Sequence, residues 1–237
     1  MQPVRFLCIL VLFLSVSACQ KGSEPVEVTI VGQMRSIMFQ NDISAKVFLK
    51  DLPRQENLYA LGPLDYLSGE ILVWDGTPLV ATSDGDSVIL QADWNVGAPM
   101  LVAAVVPEWT EVNLPNTVTT QRELEEFVAA FAKKRGLNPA QPFPFRLRGT
   151  ARKLDWHVVN WPVSDTEHTH ERHRTSGPHG TLTDTPVDVL GFFSTAHTGI
   201  FTHHDTDVHM HMKTADGRLM GHVDDLQPGQ MTLSLPH

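Results

Sequence analysis

The sequence is poor in cysteine, in positive charge and in long apolar runs, and each shortage excludes something. Its 237 residues include only two cysteines, Cys8 and Cys19. Lys and Arg number 18 against 27 Asp and Glu, for a net charge of −9. Nucleic-acid binding needs clustered cations opposite the phosphates, so this balance speaks against a nucleic-acid partner. The apolar run Phe6 to Val16 falls short of the roughly 20 residues that a bilayer-spanning helix needs. Charged residues make up 19% of the chain and apolar residues 42%, so a sizeable core can still be buried. No internal repeat is present, and the length suits one large domain or two small interlocked ones.

Arg5 precedes the apolar run in the order expected of an export signal. The run ends in Val16-Ser17-Ala18-Cys19, which resembles the lipobox of bacterial lipoproteins, cut before the cysteine and lipidated on its sulfur. Residues 1–18 are therefore expected to form a signal peptide, 19–27 a tether and 28–237 the folded domain. The expected location is the periplasmic face of the cell envelope, with the lipid on Cys19 as the only membrane contact. Gln20 after the cysteine suits outer-membrane sorting in a Gram-negative host. With Cys8 in the signal and Cys19 lipidated, no pair is left for a disulfide. Stability has to come from packing and from metal.

The pattern is α+β and mostly β, with mixed or antiparallel sheets or a barrel-like β domain. Strand signals run from Val26 to Val31, over Gly69–Val80, over Ser87–Leu90 after the turn Ser83–Asp86, and through the apolar run Met100–Val106. One helix is clear over about 120–135. Thr120 and Glu123 fit a capping box, Leu124, Phe127, Val128 and Phe131 share a face, and Gly136 is placed to end it. Beyond Asn138 the chain reads as strand again, broken by a polar loop from Asp165 to His179.

All twelve histidines lie at or after His157. Val208-His209-Met210-His211-Met212 alternates apolar residues with histidine, so on a strand both imidazoles share one face. Asp216-Gly217 then signals a two-residue turn. That register pairs Ala215 with Arg218, sets His211 opposite His222, and sets Asp224 opposite His209. Three imidazoles on one face of a hairpin form a metal site, with zinc the default ion and other divalent transition metals possible. A second group, His168, His170 and His173 with His179 nearby, lacks alternation and reads as a solvated loop, with metal capture as its other reading. His203 and His204 are adjacent and read as structural or surface residues. Asp224 reads either as a support for one imidazole or as a surface residue.

At this point the sequence resembles the acetolactate decarboxylase family. The likeness rests on His209-Met210-His211 followed by Met220-Gly221-His222, where the family has His-x-His and Gly-Gly-His. It extends to Ala60-Leu61-Gly62-Pro63-Leu64 with Leu67-Ser68-Gly69-Glu70, and to Val189-Leu190-Gly191-Phe192, and spans roughly residues 28 to 235. The resemblance implies a zinc held by His209, His211 and His222, with Glu70 as the family's glutamate. It implies decarboxylation of acetolactate, or a similar small 2-hydroxy-3-oxo acid, to an acetoin-type product. A metal ion suits that chemistry by drawing electrons from the substrate oxygens, and an acid must then protonate the enediolate. The chain departs from the family at three places. Pro63 stands for a threonine, His157 for an arginine, and the family's C-terminal glutamate has no counterpart before Pro236-His237.

His157 is thus a candidate acid, a further metal ligand or a structural histidine beside Trp156. The alternative to a lyase is a non-catalytic periplasmic metal-binding lipoprotein, and a related lyase or isomerase with a changed pocket is a third reading. Several weakly held ions lost on deleting residues 167–179 would mark a buffer, and one tight ion a catalytic site. The chain is compatible with a homodimer, since the C-terminus can close the site on its own chain or on a partner's.

Overall fold

The computed structural model describes residues 26–237, so the expected export signal and Cys19 lie outside the described residues. The first half forms strands β1 (Val28–Val31), β2 (Val47–Phe48), β3 (Leu58–Pro63), β4 (Glu70–Trp74), β5 (Thr77–Asp84), β6 (Ser87–Gln91), β7 (Gly97–Ala98) and β8 (Leu101–Val105), with helix α1 (Met34–Gln40) after β1. The second half holds β9 (Trp109–Asn113), α2 (Gln121–Lys134), β10 (Phe143–His157), α3 (His170–Thr175), β11 (His179–Phe193), β12 (Val208–Thr214) and β13 (Met220–Pro236). The fold is α+β and mostly β, with every pairing between these strands antiparallel.

Six strands make the first sheet, in the order β1-β8-β3-β4-β5-β6. The second runs β10-β11-β12-β13-β9 and also pairs β10 with β13, so β10 to β13 close on themselves like a small barrel. The uninterrupted apolar runs of β4 and β8 follow from this arrangement. One face of the first sheet packs Tyr59, Leu61, Leu72 and Val102 against Leu190, Phe192 and Met220 of the second. Its other face packs Ala60, Ile71, Val73 and Leu101 beneath Leu49. A strand covered on both faces needs apolar residues at every position, so alternation disappears.

Helix α2 covers the second sheet. Thr120 accepts from the Glu123 backbone N–H while the Glu123 carboxylate accepts from the Thr120 N–H, closing the capping box. At the other end the Leu137 N–H returns to the Ala132 carbonyl, with Gly136 at φ +82°. Leu124, Val128 and Ala132 then bury against Phe145, Val189, Val208, Met210 and Met212. The apolar residues of β12 thus face α2, and its histidines face the first sheet. No helix among the described residues is long and apolar enough to cross a membrane.

Two sequence expectations need correction. The β12–β13 loop is not a two-residue turn. The Thr214 N–H bonds to the Leu219 carbonyl and the Gly217 N–H to the Thr214 carbonyl, with Gly217 at φ +69°. The loop therefore holds four residues about the same centre, and an even change in loop length leaves the register intact. The stretch 165–179 is not simply solvated either. Thr169 caps α3 by accepting from the Arg172 N–H at 3.2 Å. Trp161 packs on His168 and His173 at 4.6 and 4.7 Å between ring centroids, which leaves both half-buried.

Candidate metal centre

The β12–β13 hairpin sets His211 directly opposite His222, and β13 in turn sets His222 opposite His157 on β10. His209, two residues before His211, shares its face. The ring centroids of His209, His211 and His222 form a near-equilateral triangle with sides of 5.0, 5.1 and 5.3 Å. One nitrogen of each lies within 4.8 Å of the other two. The register read from the sequence thus brings these three residues together.

Their nitrogens suit a metal ion. The His211 Nδ1–H donates to the Ile71 carbonyl at 2.8 Å, which leaves Nε2 buried with no hydrogen-bond partner. The Nδ1 of His209 is likewise buried and unpartnered. A buried polar atom without a partner is costly, and three imidazoles this close together form a donor set that fits zinc or a similar ion. Burial also keeps the rings neutral, as ligation requires. It lowers His209 and His222 well below the ordinary histidine value, and His211 to about 3.

Two further side chains meet the triad. Glu70 opens β4, between Pro63 and Ala81 on the neighbouring strands, and is only 3% exposed. Its carboxyl lies 3.5 Å from His211 Nε2 and 3.9 Å from His157 Nε2, and accepts from the Val159 N–H at 3.3 Å. Burial pushes it well above the usual carboxylate range, with Asp224 adding to the rise. His157 donates from Nδ1 to both oxygens of Asp224, at 2.9 and 3.0 Å, which turns its Nε2 toward Glu70. Burial works against the Asp224 charge, but His157 and, after it, His170 prevail and hold it below its usual value.

The role of Asp224 differs from its place in the sequence register. A bulge between Asp155–Asp225 and Trp156–Val223 leaves Asp224 without a partner on β10, and the β12–β13 pairing ends at His211–His222. Bulges re-aim side chains, and here the carboxylate turns to His157 instead of lying opposite His209. The sequence also misses His203, which is half-buried, lines the site cavity and stacks on His170 at 4.4 Å. Its one signal is the pair His203-His204, of which one ring must face inward; His204 is exposed. The cavity, of about 60 Å³, is lined by histidines and by the apolar Met34, Ile37, Leu67 and Met100. Pro63 lies in its lining and brings no hydroxyl there.

The fold resembles that of three solved proteins. One is the alpha-acetolactate decarboxylase of Bacillus subtilis strain 168, at 16% identity and TM-score 0.69, over 88% of this chain and 84% of that one. The second, the acetolactate decarboxylase of Bacillus subtilis subspecies spizizenii, has 16% identity and TM-score 0.70, over 88% and 85%. The third is a Staphylococcus aureus protein of unknown function similar to alpha-acetolactate decarboxylase, at 14% identity and TM-score 0.66, over 88% and 84%. No curated protein sequence matches the chain. The family profile described as alpha-acetolactate decarboxylase matches residues 35–237, which carry the three histidines, Glu70 and His157. The chain belongs to the alpha-acetolactate decarboxylase family.

Proposed function

We propose that the protein is a zinc-dependent carboxy-lyase acting on acetolactate or a similar small 2-hydroxy-3-oxo acid, with an acetoin-type product. The observation that carries this reading is the convergence of Glu70 and His157 on three neutral, buried imidazoles. His209, His211 and His222 would hold the ion, His211 through the nitrogen that Ile71 leaves free. When bound, the ion supplies a Lewis acid that draws electron density toward the substrate's ketone and hydroxyl oxygens.

The remaining work falls to the side chains. Loss of CO₂ leaves an electron pair on the carbon that carried the carboxylate, and that carbon must take up a proton. Glu70, pushed by burial toward its protonated form, is the donor. His157, fixed by Asp224 with Nε2 toward Glu70, returns a proton to Glu70 between turnovers. The apolar side chains of Met34, Ile37, Leu67 and Met100 in the lining disfavour water there, which favours conversion of a charged carboxylate into neutral CO₂. Where the family arginine would offer a fixed charge, His157 offers an imidazole instead.

Incubating the metal-loaded protein with acetolactate and measuring acetoin tests the reading. Product well above a His211→Ala control is expected; equal product from both removes the decarboxylase assignment. Export and lipid anchoring through Cys19 are proposed alongside, on the strength of the Arg5–Cys19 pattern. Membrane fractionation of the Cys19→Ala protein is the check, and unchanged membrane retention would overturn the anchor.

A further inference from the structure

Just beyond the His211–His222 pair, where the β12–β13 pairing ends, a second cavity of about 510 Å³ opens beneath the first turns of α2. It meets the site cavity at His170, His203 and His222, which line both. Its wall carries six carboxylates, from Glu125, Glu126, Asp205, Asp207, Asp224 and Asp225. Its one Lys or Arg among the described residues, Arg122, is bridged to Glu126 at 3.2 Å. Acidic side chains are common on a chain of net charge −9, but one feature sets this cleft apart. His222, a member of the triad and only 8% exposed, forms part of its lining. His170 is partly exposed there, with its Nε2 3.7 Å from the Asp224 carboxylate.

We infer that this acidic cleft is the route by which a divalent cation reaches the triad, passing the stacked pair His170 and His203. The inference rests on the metal-centre reading above. Three neutral imidazoles exert no long-range pull on a hydrated cation, whereas fixed carboxylates act over about 10 Å at 0.1 M salt. Charges lining a cleft raise association rates by roughly 10- to 1,000-fold. The same field repels an anionic substrate, so the ion and the hydroxy-keto acid use different openings. Between the cleft and the triad, the His203 imidazole, stacked on His170 at 4.4 Å, offers a donor that can replace one of the ion's waters.

Stopped-flow mixing of the metal-stripped full chain with Co²⁺, followed by the visible absorption of the bound ion, tests this. Asp205→Asn combined with Asp207→Asn is expected to slow association roughly tenfold at low ionic strength, with the gap closing as salt is added. Dissociation should stay unchanged, because steering charges act before contact. His203→Ala should slow association and dissociation together and leave the affinity alone. Should the double variant melt below its parent without metal, Asp225→Asn on β13 gives the same reading from outside that loop. Association equal to the parent's at every salt concentration overturns the route. Faster dissociation with unchanged association overturns it too, since the carboxylates would then be ligands. A parent that takes up no Co²⁺, or that binds it equally after His211→Ala, overturns the metal centre itself and the route with it.

Discussion

Glu70 and His211 share one cause for their unusual states. Each is almost completely buried, and burial disfavours charge on both. The carboxyl is pushed toward its protonated form and the imidazole toward its neutral form, which are the forms that proton donation and metal ligation require. Glu70→Gln keeps the shape and removes the proton. Activity should fall by about 100-fold or more while bound metal is retained; full activity in this variant would remove Glu70 from the chemistry. Asp224 acts at one remove, by holding His157. Asp224→Asn puts an amide where the carboxylate accepted, and activity should fall about 10- to 100-fold with one ion still bound per chain. Combined with His157→Ala it should cost no more than His157→Ala alone, and additive losses would show that Asp224 acts elsewhere.

At the scale of elements, the β12–β13 hairpin was the most legible part of the sequence. Alternation in Val208–Met212 fixed which face the histidines take, and the loop centre at Asp216-Gly217 fixed the register. Both survive a loop of four residues instead of two. Helix α2 was equally legible, because its cap, stripe and terminating glycine are local signals. The bulge at Asp224 was not, since nothing in Val223-Asp224-Asp225 marks the extra residue; the bulge depends on β10. The packing of His168 and His173 depends on Trp161, which the fold brings to them. Glu70 was visible only through family resemblance, because a strand buried on both faces has no alternation to read.

These elements carry predictions of their own. A Cβ on Gly221 would sit 2.6 Å from the His157 carbonyl, so Gly221→Ala forces β10 and β13 apart beside the centre. Lower metal affinity and a lower melting temperature are expected, and parent-like values for both would contradict that packing. Thr120→Ala should destabilise the fold by about 1 kcal/mol in urea titration. Glu123 in the same cap is held below its ordinary value, first by the Thr119 N–H. A carboxyl depressed on folding stabilises the fold above its unfolded pKa and loses that effect as pH falls through the folded one. Glu123→Gln should therefore narrow its stability gap to the parent as the solution is acidified below the ordinary glutamate value. A gap that widens instead would reverse the sign.

For the whole molecule, the centre lies where the two sheets meet, with Glu70 from the first and the imidazoles from the second. An ion bound there ties the barrel-like sheet at the junction of β12 and β13, and binding to the folded state alone raises stability by mass action. The account turns on one claim, that a single ion is held by three imidazoles aligned by one hairpin. Its most direct test is the zinc content of the dialysed protein beside that of His211→Ala. The account predicts one ion per chain in the parent and none in the variant. Equal content in both, or several ions that dialysis removes, would contradict it.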